Sequence, residues 1–448
     1  MSGNRFKSEP IAKEVCIEGD RFLFLNLENK FDGWASLKEG MLWAYNQNYF
    51  DWINQEGVSA EEGCKWIDRF IEELPDNKVG LDPYPIALRS INWVKFFCNY
   101  PERASKERLD SLYSQLKLLE KKLEFHLLGN HLLEDAYALY IGASFFNDEQ
   151  LLKKASKLLK AQLKEQILPD GAHYEQSPMY HCILLDRLLD CINIKSDSDL
   201  IDYAHRMLGH LESIVWRDKT IPLMNDAANG IAPRPGQLFG YARRLGLEWD
   251  AIPLRECGYR KIVSDSLEAI VDVGGITASY QPGHSHADTL NYALRIGGRP
   301  FVVDTGISTY NKTERRQEER STVAHNCVSP DGRNSSEVWD GFRVGRRCRV
   351  EIKADKEAVV EAVHDGFGKP CRRRFEMSKE GLLVEDWYEG EAVSYVHLAE
   401  EADENRLKIE GALRVVVKPW CYSEEYNKFL NGKVVEIKFK GHCQYTIQ

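Results

Sequence analysis

Residues 247–273 read LEWDAIPLRECGYRKIVSDSLEAIVDV, and the rhythm of the apolar positions changes inside this stretch. Past Tyr259 the apolar residues fall on every second position, as in Ala269, Val271 and Val273. That is the period of a half-buried strand. The change predicts two architectures in one chain, meeting at about residue 255.

Working back from it, apolar residues recur every three or four positions from about Ser36 to Leu247. Leu109, Leu112, Leu116 and Leu119 form one such stripe; Leu132, Leu133, Ala136, Leu139 and Tyr140 a second; Leu184, Leu185, Leu188 and Leu189 a third. Side chains three and four apart share one face of a helix, and short turns such as LPDG at 168–171 separate the stripes. Helices in succession without intervening strands make residues 1–255 an all-α domain. Working forward, Val350, Ile352, Val435, Ile437 and Phe439 continue the alternation in short runs bounded by Gly, Asp and Lys. Residues 256–448 are therefore expected to be an antiparallel β domain, a sandwich of many strands, which makes the fold class α+β and multidomain.

The composition permits real cores, with 448 residues of which 43% are apolar and 11% aromatic. A formal charge of -10 argues against broad nucleic-acid or anionic-membrane binding, which needs a dominant basic surface. It leaves an acidic ligand open, because arginines such as Arg89, Arg343, Arg346 and Arg347 can make a cleft locally positive. No run approaches the roughly 18–20 apolar residues that span a bilayer. The opening MSGNRFKSEP has no apolar signal core, so a cytoplasmic location is expected, or a periplasmic one if a leader was removed. Eleven cysteines, none spaced CxxC, read as free thiols of a reducing compartment.

Chemistry concentrates just beyond the change of period, in GHSHAD at 283–288, VVDTG at 302–306 and AHN at 324–326. If the first segment is extended, His284 and His286 share a face. Phe301, Val302 and Val303 deliver Asp304 to a strand end, and Gly306 permits a turn. His286, Asp304 and His325 together offer two imidazoles and a carboxylate, a set that suits zinc. Spacing alone equally allows hydrogen-bonded histidines at a strand edge.

In the helical half, GNHLLEDAYALY at 129–140 places Asn130 and His131 at a helix start. Asn130 is there either as an N-cap or, with His131, as a donor to an anionic group. In LPDGAHYEQSPMYH at 168–181, Ser177 and Pro178 read as N-cap and first helical residue. Tyr180 then lies in the first turn, where the positive end of the helix favours a phenolate. PYPIALRSINW at 83–93 offers Arg89, Asn92 and Trp93 at helical spacing, suited to a carboxylated sugar or, equally, to a partly buried helix. TERRQEER at 313–320 reads as a solvated face, with Arg320 a candidate to point inward.

Taken in order, GNHLLE, DGAHYEQSPMYH, GHSHAD, VVDTG, STVAHN and SSEVWDGFRVGRR (335–347) resemble the heparinase II/III-like polysaccharide lyases, from about Trp43 to the C-terminus. The resemblance implies an incomplete (α/α) toroid followed by a β-sandwich domain, and β-elimination on an acidic, uronate-containing polysaccharide. It implies that Asn130, with His131 nearby, neutralises the uronate carboxylate, that Tyr180 is acid and base, and that His284 is its partner. Arg89, Asn92, Trp93, Tyr174 and Arg343 are the expected substrate contacts. His286, Asp304 and His325 would bind a structural zinc. The helical part ahead of Asn130 is short for a full toroid. Two other functions stand beside the lyase: a zinc-dependent glycan hydrolase and a catalytically silent binder of acidic glycans.

Overall fold

A computed structural model describes residues 4–278, 280 and 282–448. Contacts divide the chain into two compact units, Met1–Ile167 with Cys182–Leu208 and Ala232–Asp250, and Leu168–His181 with Gly209–Ile231 and Ala251–Gln448. Residues 168–181 and 209–231, which precede the change of period, thus group with the β-rich unit.

The first unit opens with a small antiparallel meander, β1 (Ile17–Glu18), β2 (Arg21–Phe24) and β3 (Leu27–Lys30), which the periodicity does not announce. Its Phe22 packs edge-on against Trp52 and Trp66, with ring centroids 5.0 and 5.3 Å apart. The helices of this part of the chain are α1 (Met41–Tyr49), α2 (Ala60–Glu73), α3 (Pro83–Asn99), α4 (Lys106–Lys121), α5 (Gly129–Phe146), α6 (Glu149–Gln166), α7 (Pro178–Ile194), α8 (Ser198–Ile214) and α9 (Pro235–Arg244). Their starts follow local chemistry. Ser59, Ser105 and Asp148 accept backbone N–H bonds in the first turns of α2, α4 and α6, and Pro83 and Pro235 occupy opening positions of α3 and α9. α3 packs against α1, α4 and α5. Gly142 of α5 lets Leu116 of α4 approach so closely that a Cβ would stand 2.4 Å from its Cδ1.

The second unit contains an eleven-stranded antiparallel sheet. Its strands are β4 (Tyr259–Val263), β5 (Leu267–Asp272), β6 (Tyr292–Ile296), β7 (Arg299–Val302), β8 (Val328–Ser329), then β11 (Val350–Lys356), β12 (Val359–His364), β13 (Cys371–Met377), β14 (Leu382–Ala399), β15 (Leu407–Glu425) and β16 (Lys428–Ile447). A separate two-stranded ribbon, β9 (Val338–Trp339) with β10 (Arg343–Val344), lies between β8 and β11 in sequence. The long β14 organises the sheet, pairing with β13, β16, β7 and β8. β12 and β13 bury alternate residues, as a period of two requires, and Phe375, Val384, Ile437 and Phe439 fill the core. Arg373 and Asp386, both fully buried, pair inside it.

One local expectation fails and another holds in part. The segment holding His284 and His286 is a turn and coil, not a strand. The 313–320 run is a solvated face only in part: it forms α10 (Glu314–Glu319), with Glu314 and Glu318 exposed, while Arg316 and Glu319 are buried against polar partners and Arg320 points inward as expected. All eleven cysteines are free. Among the described residues no helix is long and apolar enough to cross a membrane.

Candidate active site

Within the second unit, Asp226 is the hub. It sits in the loop after α8, where Asn225 takes a left-handed conformation with φ of 56° and braces its neighbours. Asn225 donates to the Tyr259 hydroxyl (2.7 Å) and accepts from the His286 backbone N–H (2.9 Å). Asp226 Oδ2 lies 2.9 Å from His284 Nδ1, and Oδ1 lies 2.8 Å from His286 Nε2. Arg316 closes the arrangement with a two-pronged contact, Nη1 to Oδ1 and Nη2 to Oδ2, the latter at 2.8 Å. Both partners are buried. Burial works against the charge on Asp226, yet the Arg316 guanidinium and the two imidazoles outweigh it and hold the carboxyl well below its usual range. An ionised Asp226 must be given protons, which assigns N–H to His284 Nδ1 and His286 Nε2.

Tyr180 enters from the first turn of α7, its backbone N–H donated to Ser177 Oγ at 3.3 Å. Ser177 is the helix-start residue that the sequence indicates. The Tyr180 ring stacks on His284 with centroids 4.0 Å apart and planes 27° from parallel. Tyr310 links the two: its hydroxyl is 3.2 Å from the Tyr180 hydroxyl and 3.3 Å from His284 Nδ1. Burial pushes the Tyr180 phenol up, against the pull of the Tyr310 hydrogen bond. The sign is opposite to the helix-end effect, so the group stands protonated at neutral pH. On the other side of His284, Glu175 Oε2 is 3.4 Å from Nε2.

The proposed metal ligands lie in the same unit and are fully or nearly buried. His325 Nδ1 is 3.0 Å from Asp304 Oδ2, two residues past the end of β7, and the His286 and His325 rings are 5.2 Å apart. Asp304 Oδ2 also accepts from Asn291 Nδ2. Burial disfavours the His325 imidazolium, but Asp304 reverses this and raises its pKa; burial lowers that of His286 to about 4 despite Asp226. His286 Nδ1 and His325 Nε2 are buried without a hydrogen-bond partner. Two orphaned imidazole nitrogens near a carboxylate, one ring gripped from behind by Asp226, are donors of the kind a metal ion takes, since ligating histidines commonly offer their second N–H to a carboxylate, although the donor atoms of His286, Asp304 and His325 do not all come within 4.8 Å of one another.

The other expected residues are placed as follows. Tyr174 is buried, with its hydroxyl 3.5 Å from that of Tyr280, and Arg343 is exposed on β10. In the first unit, Arg89 is fully buried. Its guanidinium donates to Gln115 Oε1 (2.7 Å), the Asn48 carbonyl (3.1 Å) and the Gly80 carbonyl (2.8 Å), and lies over Phe70. Asn92 donates to the Tyr49 carbonyl (2.9 Å), and Trp93 packs between Phe50 and Phe70. These three hold the helical core. Asn130 is buried as the second residue of α5, whose N-cap is Leu128, so it is not the cap. His131 sets Nδ1 3.0 Å from Glu124 Oε2 and its ring 4.5 Å from Tyr84.

Asp226, Glu175, Tyr310 and Arg316 escape the sequence reading. Arg316 lies in the 313–320 run, but there the sequence singles out Arg320 as the inward candidate. Asp226 sits in NDAANG, a polar stretch that reads as an ordinary loop.

Comparison with known proteins bears on the whole chain. A family model described as heparinase II/III N-terminus matches residues 97–232, and one described as heparinase II/III-like, C-terminal, matches residues 247–421. The heparin-sulfate lyase of Pedobacter heparinus is 24% identical over 329 residues, 65% of this chain and 48% of that protein. The chain thus spans about half the length of this curated relative. Among solved structures, a heparinase III superposes with a TM-score of 0.65 at 14% identity, covering 93% of this chain and 80% of that one. A mutant of the heparan sulfate lyase HepC from Pedobacter heparinus gives 0.64 at 17% identity, covering 96% and 81%. A chondroitin AC lyase of Streptomyces coelicolor A3, in complex with chondroitin sulphate, gives 0.53 at 10% identity, covering 91% and 74%. These likenesses bear out the expected architecture, an incomplete (α/α) toroid followed by an antiparallel β domain.

Proposed function

Because the chain belongs to the heparinase II/III-like family, to which both of its matched regions assign it, we propose that it is a polysaccharide lyase that cleaves an acidic, uronate-containing glycan by β-elimination. The observation that carries this reading is the Tyr180–His284 stack with the Tyr310 hydroxyl between their polar atoms. It brings two proton-transfer groups and a connecting hydroxyl together.

The reaction removes the C5 proton of the uronate, forms the C4=C5 double bond and breaks the C4–O bond. Tyr180, protonated in the free protein, gives its proton to the departing C4 oxygen. His284 takes the C5 proton at Nε2, its Nδ1 proton fixed by Asp226. After product leaves, the imidazolium gives its Nε2 proton to solvent and the Tyr180 phenolate takes one back, which restores both groups; the Tyr310 hydroxyl, 3.2 Å from that of Tyr180, steadies the phenolate meanwhile. Charge building at C5 is stabilised by neutralising the uronate carboxylate, the role that the family resemblance gives to Asn130 and His131. Tyr174 and Arg343 contact the sugar chain. His286, Asp304 and His325 would hold a zinc ion, which would contribute folding free energy and brace the loop that presents His284.

The test is a digest of uronate polymers, among them heparan sulfate, hyaluronan, chondroitin and alginate. Ultraviolet-absorbing unsaturated products are expected from at least one. New reducing ends without that absorbance would overturn elimination in favour of hydrolysis; binding of the polymers without any cleavage would leave a silent glycan binder.

A further inference from the structure

We infer that Asp170, His210 and Cys257 form a second metal site, specific for a zinc-class transition ion and separate from His286, Asp304 and His325. Their donor atoms all lie within 4.8 Å of one another, the one such group among the described residues, and all three side chains are buried. All three belong to the second unit and come from separate segments: the LPDG turn, α8 and the turn leading into β4.

Asp170 and His210 are already in the state that a metal needs, and Cys257 reaches it on binding. Burial opposes ionisation of Asp170, but the backbone N–H groups of Cys257 and Arg255, each 2.9 Å from Oδ2, prevail and its pKa is lowered. The result is a buried, ionised carboxylate, which also accepts from the Ala172 backbone N–H at 3.3 Å, forms no ion pair with lysine or arginine among the described residues, and so offers its negative charge to a cation. His210 Nδ1 is buried with no hydrogen-bond partner, and burial lowers its pKa to about 4, so at neutral pH the ring keeps a lone pair to offer. Burial pushes the Cys257 thiol up, so it holds its proton until an ion displaces it. Binding then breaks S–H, forms S–metal and releases one proton to solvent. Carboxylate, imidazole and thiolate are a borderline-soft set that favours zinc over magnesium or calcium. A further buried imidazole, His181, has its ring 4.9 Å from that of His210.

The ion would act as a staple. Gln176 donates to the Cys257 carbonyl at 3.0 Å, and Gln176 lies in the loop between Tyr174 and Tyr180. Holding Asp170 and Cys257 together therefore fixes both ends of the segment that leads into the first turn of α7.

Cobalt separates this site from the other. The reduced full-length chain is stripped with chelator and titrated with Co2+. A thiolate-to-Co2+ charge-transfer band in the near ultraviolet is expected, with the intensity of one thiolate-bound ion per chain at saturation. His286, Asp304 and His325 have no sulfur and cannot produce it, so failure of the zinc proposal above would leave the band intact. The band should persist in His286→Ala and vanish in Cys257→Ser and His210→Gln, with Cys257→Ser also losing one zinc ion per chain after growth with zinc. No band in the folded wild-type protein, which needs no variant to fold, would overturn the inference, as would a band that survives Cys257→Ser.

Discussion

Replacing Asp226 by Asn keeps the shape of the side chain and removes its charge, which is the property that three neighbours use. Arg316 is then left buried, with a side chain only 1% exposed, and without its counter-ion. Removing one member of a buried pair costs about 3–5 kcal/mol, since the remaining charge stays desolvated. At roughly 2–4 °C per kcal/mol for a unit of this size, the melting temperature should fall by about 6–20 °C. The same variant loses the carboxylate behind His286 Nε2, 2.8 Å away, so zinc affinity should drop on the order of 10–100-fold. It also frees His284 Nδ1, and turnover should fall by about 10²-fold or more. Calorimetry or urea unfolding measures the first effect, competition with a zinc chelator the second, and product absorbance the third. The diagnostic comparison is Asp226→Asn with Arg316→Met. If an orphaned charge is the cause, the double variant is more stable than Asp226→Asn alone. A single variant within about 1 kcal/mol of wild type, or a double variant that loses the sum of both single losses, would refute the reasoning.

Tyr180→Phe should abolish elimination while shifting stability by no more than about 1 kcal/mol, since only the hydroxyl contact with Tyr310 is lost; retained turnover removes Tyr180 from the chemistry. His325→Ala should lose zinc and lower the melting temperature, as metal analysis and calorimetry will report; unchanged metal content means the ligands are elsewhere. Gly306→Ala should destabilise by more than ~1 kcal/mol, because φ is +62° and the new Cβ would stand 1.8 Å from the Ser423 carbonyl oxygen. Unchanged urea unfolding would contradict that packing. Asp135 is pushed up to about 8 from 3.8 by burial and by Glu124. Between those values the folded state keeps a proton that the unfolded chain has released, so its contribution to stability is full below pH 3.8 and declines as pH rises to about 8. Asp135→Asn should flatten that part of the stability–pH curve, and a slope as steep as wild type would show that Asp135 is not its source.

The periodicities belong to short stretches of chain, and short-range geometry is what a sequence records. A 3.6-residue stripe or a two-residue alternation follows from one element burying one face, so the change from helices to strands near Tyr259 was legible directly. The site residues that sit beside each other in sequence were legible for the same reason: His284 and His286 flank one residue, and Ser177, Pro178 and Tyr180 form one helix start. Two things were not. The strand assumed for His284 and His286 is a turn, yet the two rings still meet one carboxylate, because Asp226 grips Nδ1 of one and Nε2 of the other. Arg89 carries the same guanidinium as a cleft arginine, and only packing shows it satisfied inside the helical core.

What the sequence determined by itself was therefore the order of architectures and the residue types available for proton transfer and metal binding. Only the tertiary structure decided which carboxylate orients the histidines, that Arg316 balances it, and that Tyr310 joins Tyr180 to His284. Asp226 lies 58 positions from His284 and 90 from Arg316. No local period spans such separations; the partners are chosen by desolvation, since a charge taken out of water must meet its complement wherever the fold brings one.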